Sequence, residues 1–282
     1  MNVFEIFFSP TGTSRRVADA IARAMAGVAP AGAETGADCL TALDATRAPL
    51  APTALAAGDV AVVAVPVYGG HVAPLALERL AGLAFDGTAV VGVVTYGNRD
   101  FERAAVELAD FVRSRGGRLV AVAAFVGEHS YSTEATPIAP GRPDMDDLAV
   151  ANALGRAARR KLALPAWKEA DARRLKAPAS GWLSVARFVR FVMSYRRHPE
   201  RFAAMRAPQA DAARCTHCGR CAAACPTGAI VPGNETATDA ERCIRCCACV
   251  KGCPEGARTF TTPFAPALAR NFKRRKAPVY IY

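Results

Sequence analysis

No apolar run in this 282-residue chain reaches the roughly 18 residues that a membrane-spanning helix needs, although 51% of its residues are apolar. Charge or glycine interrupts every long stretch, so no transmembrane helix is expected. The opening residues, MNVFEIFFSPTG, hold neither a basic leader nor a small-residue cleavage site, from which no secretory signal and a cytoplasmic location are expected. Two nucleotide signatures are missing as well. No Gly-Lys-Ser/Thr follows the loop at 9–14, which excludes a P-loop, and no GxGxxG occurs, which counts against a built-in NAD(P)H site. Cysteine is almost absent before residue 215, where only Cys39 occurs. Cys39, at an apparent strand start, is expected to be an inert core thiol.

The remaining nine of the ten cysteines fall between Cys215 and Cys253. In a small secreted protein such density would mean disulfides; without a secretion signal it means metal. The length suits two modest domains, each able to bury a core. Charge is uneven: residues 1–155 carry a net −6 and residues 156–214 a net +11, with +1 over 215–262 and +5 over 263–282. A pI near 9.4 raises nucleic acid as a partner. Thiolate-ligated clusters would offset part of that surplus, so no nucleic acid is expected.

The cysteines form an internal repeat. Cys215-x2-Cys218-x2-Cys221-x3-Cys225-Pro226 recurs as Cys243-x2-Cys246-x2-Cys249-x3-Cys253-Pro254. A tight loop with a cysteine at every third position can supply three corners of a cubane, and the fourth ligand must come from elsewhere. In such a repeat the remote cysteine belongs to the other cluster. One cluster is therefore assigned Cys215, Cys218, Cys221 and Cys253, the other Cys243, Cys246, Cys249 and Cys225. Zinc sites favour two ligand pairs separated by a longer gap, which this is not. Cys247 aligns with Gly219 and is left without a ligand role, as a small packed thiol. His217, between two ligands, reads as a solvated neighbour. The duplicated loops, with Thr-Gly-Ala-Ile (227–230) and Glu-Gly-Ala-Arg (255–258) after each Cys-Pro, resemble bacterial-type two-cluster ferredoxins.

In the first half, Asn-Val-Phe-Glu-Ile-Phe-Phe (2–8) is too short for a helix and leads through Ser9-Pro10-Thr11-Gly12-Thr13-Ser14 into an alanine-rich helical pattern to about residue 27. A helix N-terminus rich in hydroxyls can hold a phosphate without a lysine. Further strands are expected at 59–65, 88–95 and 118–126 and a weaker one near 37–43, with helices at about 74–84, 100–115 and 144–163. This alternation predicts an α/β fold, a doubly wound parallel sheet with helices on both faces. Loops 9–14, 66–71 and 95–100 then converge at the carboxyl ends of its strands, where ligands bind. Arg15 and Arg16 sit where the helix dipole mildly disfavours positive charge. His71 and His129 are loop histidines of little information.

Ser9-x-Thr11-Gly12-x-Ser14 resembles the flavodoxin phosphate loop, and Val67-Tyr68-Gly69-Gly70 and Thr95-Tyr96-Gly97-Asn98-Arg99 sit where that family clasps its isoalloxazine ring. With the cysteine repeat, and with Gly127-Glu128-His129-Ser130-Tyr131-Ser132-Thr133-Glu134 and Gly141-Arg142-Pro143, the chain resembles the fused flavodoxin-ferredoxin family, also called EFR-type ferredoxins. The resemblance implies a flavodoxin-like five-stranded parallel sheet, a small α+β two-cluster ferredoxin domain, two 4Fe-4S clusters and FMN. It carries FMN binding over to Ser9, Thr11, Gly12, Thr13, Ser14 and Arg15, to Pro66, Val67, Tyr68, Gly69 and Gly70, and to Thr95, Tyr96, Gly97 and Asn98. It supplies no catalytic residue.

The expected organisation is linear: 1–164 flavodoxin-like, 165–210 a basic connector, 211–262 the two-cluster domain and 263–282 a basic tail whose last residues could add an edge strand. Within the connector, 182–197 reads as a helix with Trp182, Val185, Val189, Val192 and Met193 on one face and Arg187, Arg190 and Arg197 on another. Packing across the two domains is the leading expectation for it, ahead of partner docking and membrane-surface contact. The chain is expected to move electrons between clusters and FMN and to exchange them with a redox protein partner. The enzyme-class alternative is an FMN-dependent reductase of a small molecule such as a quinone. The sequence names neither donor nor acceptor.

Overall fold

Three runs rich in valine and alanine are buried along nearly their whole length, as strands covered by helices on both faces must be. In the computed structural model, which describes residues 1–27 and 39–282, they form the centre of one sheet. Five strands run parallel: β1 (Val3–Phe7), β2 (Leu40–Asp44), β3 (Val60–Tyr68), β4 (Ala89–Tyr96) and β5 (Arg118–Val126). Their order is β2-β1-β3-β4-β5, the flavodoxin-like order. Ile6 stands opposite Leu43 on one side and Val63 on the other. Two additions bring the sheet to seven strands. The short strand His71–Val72 folds back on the end of β3, and β6 (Val279–Ile281) pairs antiparallel with β5, Val279 opposite Ala124. Of the weak strand expected near 37–43, residues 37 and 38 lie outside the described residues and β2 begins at Leu40. Cys39, expected in the core, is exposed. It lies ahead of an edge strand whose residues are mostly half-buried or exposed.

Helix α1 (Thr13–Ala26) buries Val17, Ile21 and Met25, one residue per turn, against β1, β3 and β4. Helix α2 (Pro74–Arg79) follows the His71–Val72 hairpin, and α3 (Ala104–Ser114) packs on the opposite face, where Leu108 lies beside Gly92. Helix α4 (Met145–Leu162) joins α1 on the first face through Ala151, Leu154 and Ala158. Each large apolar side chain buried there contributes roughly 1.5–3 kcal/mol. The N-terminus of α4 is closed by a capping box between Asp144 and Asp147. Buried Asp147 is also paired with buried Arg142, which donates to the carbonyl of Lys276.

The chain forms two compact units that interleave along the sequence. Residues 1–127, 141–178 and 276–282 make the sheet unit, and residues 128–140 and 179–275 make the other. The backbone therefore crosses between them four times, at 127/128, 140/141, 178/179 and 275/276. This differs from the linear division read from the sequence. The second unit contains α5 (Trp182–Arg197), α6 (Arg220–Ala224), α7 (Ala248–Lys251) and α8 (Phe264–Asn271), with Gln209–Ala210 paired antiparallel to Arg258–Thr259. Connector helix and tail helix meet within this unit, because Phe188 packs edge-on against Phe272 at 5.3 Å and Phe191 against Phe264 at 5.2 Å. Ile138 and Leu268 complete that small core. Among the described residues no helix is long and apolar enough to cross a membrane.

Glu5 is the one acid inside β1, 4% exposed, and its Oε1 has no hydrogen-bond partner among the described residues. Burial, reinforced by Asp19, pushes its carboxyl from the usual 4.5 to about 7. Between these values the unfolded chain ionises while the folded chain keeps its proton, so stability falls as pH rises through that window. Glu5→Gln should therefore raise Tm by a few degrees at pH 8 and leave it unchanged at pH 4. Calorimetry at the two pH values checks this, and equal shifts at both would contradict it.

Candidate functional site

The two cysteine loops share one backbone design. His217 and Gly219 in the first take φ of 52° and 73°, and Arg245 and Cys247, at the same positions of the second, both take 57°. These left-handed residues coil each loop so that its first three cysteines face inward, and the third lies in a short helix: Cys221 in α6, Cys249 in α7. One small cavity, of about 20 Å³, is lined by Cys215, Cys218, Cys221 and Cys253. Another of the same size, about 20 Å³, is lined by Cys225, Cys243, Cys246 and Cys249, with Cys247 beside them. The remote cysteines are held alike. Ala229 N–H donates to Cys225 Sγ at 3.2 Å and Ala257 N–H to Cys253 Sγ at 3.3 Å. His217 points away, largely exposed, with Nδ1 3.0 Å from Glu235 Oε2.

Among the described residues no three His, Cys, Asp or Glu side chains converge as a single ion requires. Four cysteines border each cavity, a donor set that fits an iron-sulfur cluster. Burial pushes the thiols of Cys243, Cys246 and Cys249 up, Cys246 to about 12. At Cys225 burial acts in the same direction, but hydrogen bonds from Thr227, Ala229 and Ile230 outweigh it and hold the thiol below its ordinary value. Thiolates in such cavities need a positive counter-charge, which iron supplies.

At the carboxyl ends of β1, β3 and β4 the three expected loops come together. This is the point where the strand order reverses, between β1 and β3. Gly12, at φ 79°, turns the first loop into α1. The loop is internally braced: Gly12 N–H donates to the Ser9 carbonyl at 3.0 Å, Arg15 N–H to Ser9 Oγ at 3.1 Å and Ser9 N–H to Thr46 Oγ1 at 2.9 Å. Ser14 is buried with its Oγ 2.7 Å from Thr95 Oγ1, so it ties the first loop to the end of β4. Thr11, Thr13 and the N–H groups of Thr13 and Ser14, which have no preceding turn to bond, are the donors left for an anion. Arg15 sets its guanidinium 5.9 Å from the Phe7 ring centroid and attracts buried Glu5.

In the second loop, Pro66 ends the pairing of β3 with β4, Val67 and Tyr68 pair with Val72 and His71, and Gly69 and Gly70 close the turn. Glu107 of α3 anchors this hairpin by accepting from Val72 N–H at 3.0 Å and lying 2.6 Å from His71 Nδ1. Tyr68 is half-buried. Tyr96 is not an open platform: it is 3% exposed, its ring stands edge-on to Phe101 at 5.4 Å, and its hydroxyl is buried without a hydrogen-bond partner among the described residues. Burial also pushes its pKa well up. Gly97 follows, and Asn98 is buried at φ 65°. His129 belongs to the second unit and packs on Tyr131 at 4.8 Å. Sequence reasoning missed Thr46 and Glu107, which brace the loops from a distance no local pattern reports.

Residues 207–257 match the family described as the 4Fe-4S dicluster domain. The chain carries a 4Fe-4S dicluster domain. That domain covers both cysteine cavities, and it stands in one chain with a flavodoxin-like sheet. No curated protein sequence matches the chain. Solved structures similar to it include a flavodoxin from the domain Archaea, at 12% identity over 57% of this chain and 99% of that one, with a TM-score of 0.36. A Streptococcus pneumoniae TIGR4 flavodoxin matches at 19% identity over 56% and 99%, with a TM-score of 0.37. The apo form of an NADH:FMN oxidoreductase matches at 18% identity over 60% and 94%, with a TM-score of 0.40. At these scores the flavodoxin-like assignment rests on the strand order itself.

Within the dicluster domain Cys247 is 2% exposed and holds the left-handed conformation that Gly219 holds in the first loop. That conformation costs a side-chain-bearing residue about 1–2 kcal/mol, comparable to the burial the small thiol gains. Cys247→Gly should therefore leave iron content and Tm nearly unchanged, whereas Cys249→Ser should remove about half the iron. Loss of iron from Cys247→Gly would make it a ligand.

Proposed function

We propose that this chain is an iron-sulfur flavoprotein that passes electrons between two 4Fe-4S clusters and an FMN and exchanges them with a redox protein. The observation that carries the reading is the pair of cavities, each lined by four cysteines, within a matched dicluster domain. Cys215, Cys218, Cys221 and Cys253 would hold one cluster, and Cys243, Cys246, Cys249 and Cys225 the other. When bound, a flavin exchanges two electrons one at a time while each cluster exchanges one, so their combination converts between the two modes.

The protein's own residues prepare the flavin site. Thr11, Thr13, the amides of Thr13 and Ser14 and the positive dipole end of α1 offer themselves to one phosphate. The Ser14–Thr95 contact fixes that loop against β4, Glu107 fixes the hairpin that carries Tyr68, and Tyr96 with Phe101 forms an apolar wall. No second glycine-rich turn is present for a pyrophosphate, which favours FMN over FAD. A cytoplasmic location fits nine clustered cysteines serving as cluster ligands rather than as disulfides.

The second unit presents a basic groove to its partner. Arg187, Arg190 and Arg270 rim it and Phe191, Phe202 and Pro263 line it, and no acidic residue occurs between 182 and 197. An acidic redox protein complements that surface.

Anaerobically prepared protein should contain about eight iron and eight acid-labile sulfide, and released flavin should have the mass of FMN. Zinc, or four iron, would overturn the cluster reading, and FAD alone would overturn the flavin reading. Cys225→Ser and Cys253→Ser should each remove about half the iron, the first sparing the cluster of Cys215, Cys218 and Cys221. Arg187→Glu with Arg190→Glu should slow electron exchange with an acidic ferredoxin about tenfold at low salt, an effect that fades as salt rises. A rate unchanged by the substitutions would remove this face from partner docking.

A further inference from the structure

The duplicated loops differ at one buried position. Aligning Cys215, Cys218, Cys221 and Cys225 with Cys243, Cys246, Cys249 and Cys253 sets Ile230 against Arg258. Ile230 is 2% exposed and packs with Cys221 and Cys249, as a residue after Cys-Pro in a small core should. Arg258 is buried equally deeply, at 3% exposed. A guanidinium cannot shed its charge, so burying one demands anions or a full set of acceptors. The groups it meets are neutral oxygens: the carbonyls of Glu235 and, at 3.3 Å, Pro208, and the hydroxyl of Thr238. Its Nε has no partner among the described residues.

What else it meets is sulfur. Arg258 Nη1 lies 3.9 Å from Cys221 Sγ, in the first cavity. The same guanidinium attracts Cys249 and Cys243, both lining the second. Arg258 thus lines the first cavity and lies near enough to the second for its charge to act on two of that cavity's cysteines, fastened by neutral groups that fix its position without cancelling its charge.

We infer that Arg258 is the common counter-charge of the two clusters, a fixed positive charge that raises the reduction potential of both. The inference rests on the two-cluster reading above. The step it assists is the arrival of one electron on a cluster from the redox partner or the flavin. No bond breaks and no proton moves, because the guanidinium stays charged in both redox states. Each added electron makes a cluster more negative, so a nearby positive charge favours the reduced form, one of the recognised controls on such potentials.

Redox titration of the holoprotein, monitored by electron paramagnetic resonance of each cluster, tests this with Arg258→Gln and Arg258→Lys. In Arg258→Gln, with eight iron retained, both midpoints should fall by about tenfold in the reduction equilibrium, about 59 mV for a one-electron couple. Arg258→Lys should stay close to the unmodified protein. Unmoved midpoints in an eight-iron Arg258→Gln would overturn the inference, and a shift in only one cluster would overturn the shared role. Iron lost from Arg258→Gln but kept in Arg258→Lys would support a charge requirement. Iron lost from both would reduce the residue to packing and overturn it. Fewer than eight iron in the unmodified protein would defeat the two-cluster reading itself.

Discussion

Eight thiolates gathered into two small cavities repel one another and resist burial, and that repulsion governs how the second unit is built. The upward push on Cys243, Cys246 and Cys249 is the apoprotein's side of this conflict. Bound iron would relieve it, and the fold contributes N–H groups aimed at Cys225 and Cys253 and the guanidinium of Arg258 beside Cys221. The need for four corners around each cubane would explain the ligand sets proposed above: a short loop reaches three corners, and the fourth would come from the cysteine that precedes a proline in the other repeat. Left-handed residues at matching positions, including Cys247 in place of Gly219, follow from the tightness of those loops.

A different constraint shapes the sheet unit. Parallel strands buried on both faces leave binding groups only at their carboxyl ends, and the order reversal at β1 and β3 opens a crevice there. The loops bordering it are stiffened from outside: Ser9 by Thr46, Ser14 by Thr95, the Tyr68 hairpin by Glu107. Such bracing suits a site that must hold one cofactor in one pose. The two units are joined by four passages of the backbone.

Much of this was legible in the sequence because it is carried by local period. The helix read at 182–197 is α5, Trp182–Arg197, and the strands expected at 59–65, 88–95 and 118–126 are β3, β4 and β5. The cysteine repeat was legible because ligand spacing is itself a local pattern. What escaped depends on contacts far along the chain. Residues 128–140 leave the end of β5 for the second unit, and the tail returns as β6, neither of which any periodicity announces. The contacts of Arg15 with Phe7 and Glu5 and of Tyr96 with Phe101 are likewise tertiary, and loop position alone does not announce them. Cys39 stayed at the surface because β2 is an edge strand.

The central claim is that clusters and flavin form one electron path within a single molecule. Rapid anaerobic mixing of the oxidised holoprotein with a one-electron donor, followed separately at cluster and flavin wavelengths, tests it most directly. The account predicts that flavin reduction follows cluster reduction with a first-order rate that does not change when the protein is diluted tenfold. A flavin rate that falls in proportion to protein concentration would contradict it, because the electrons would then be passing between molecules.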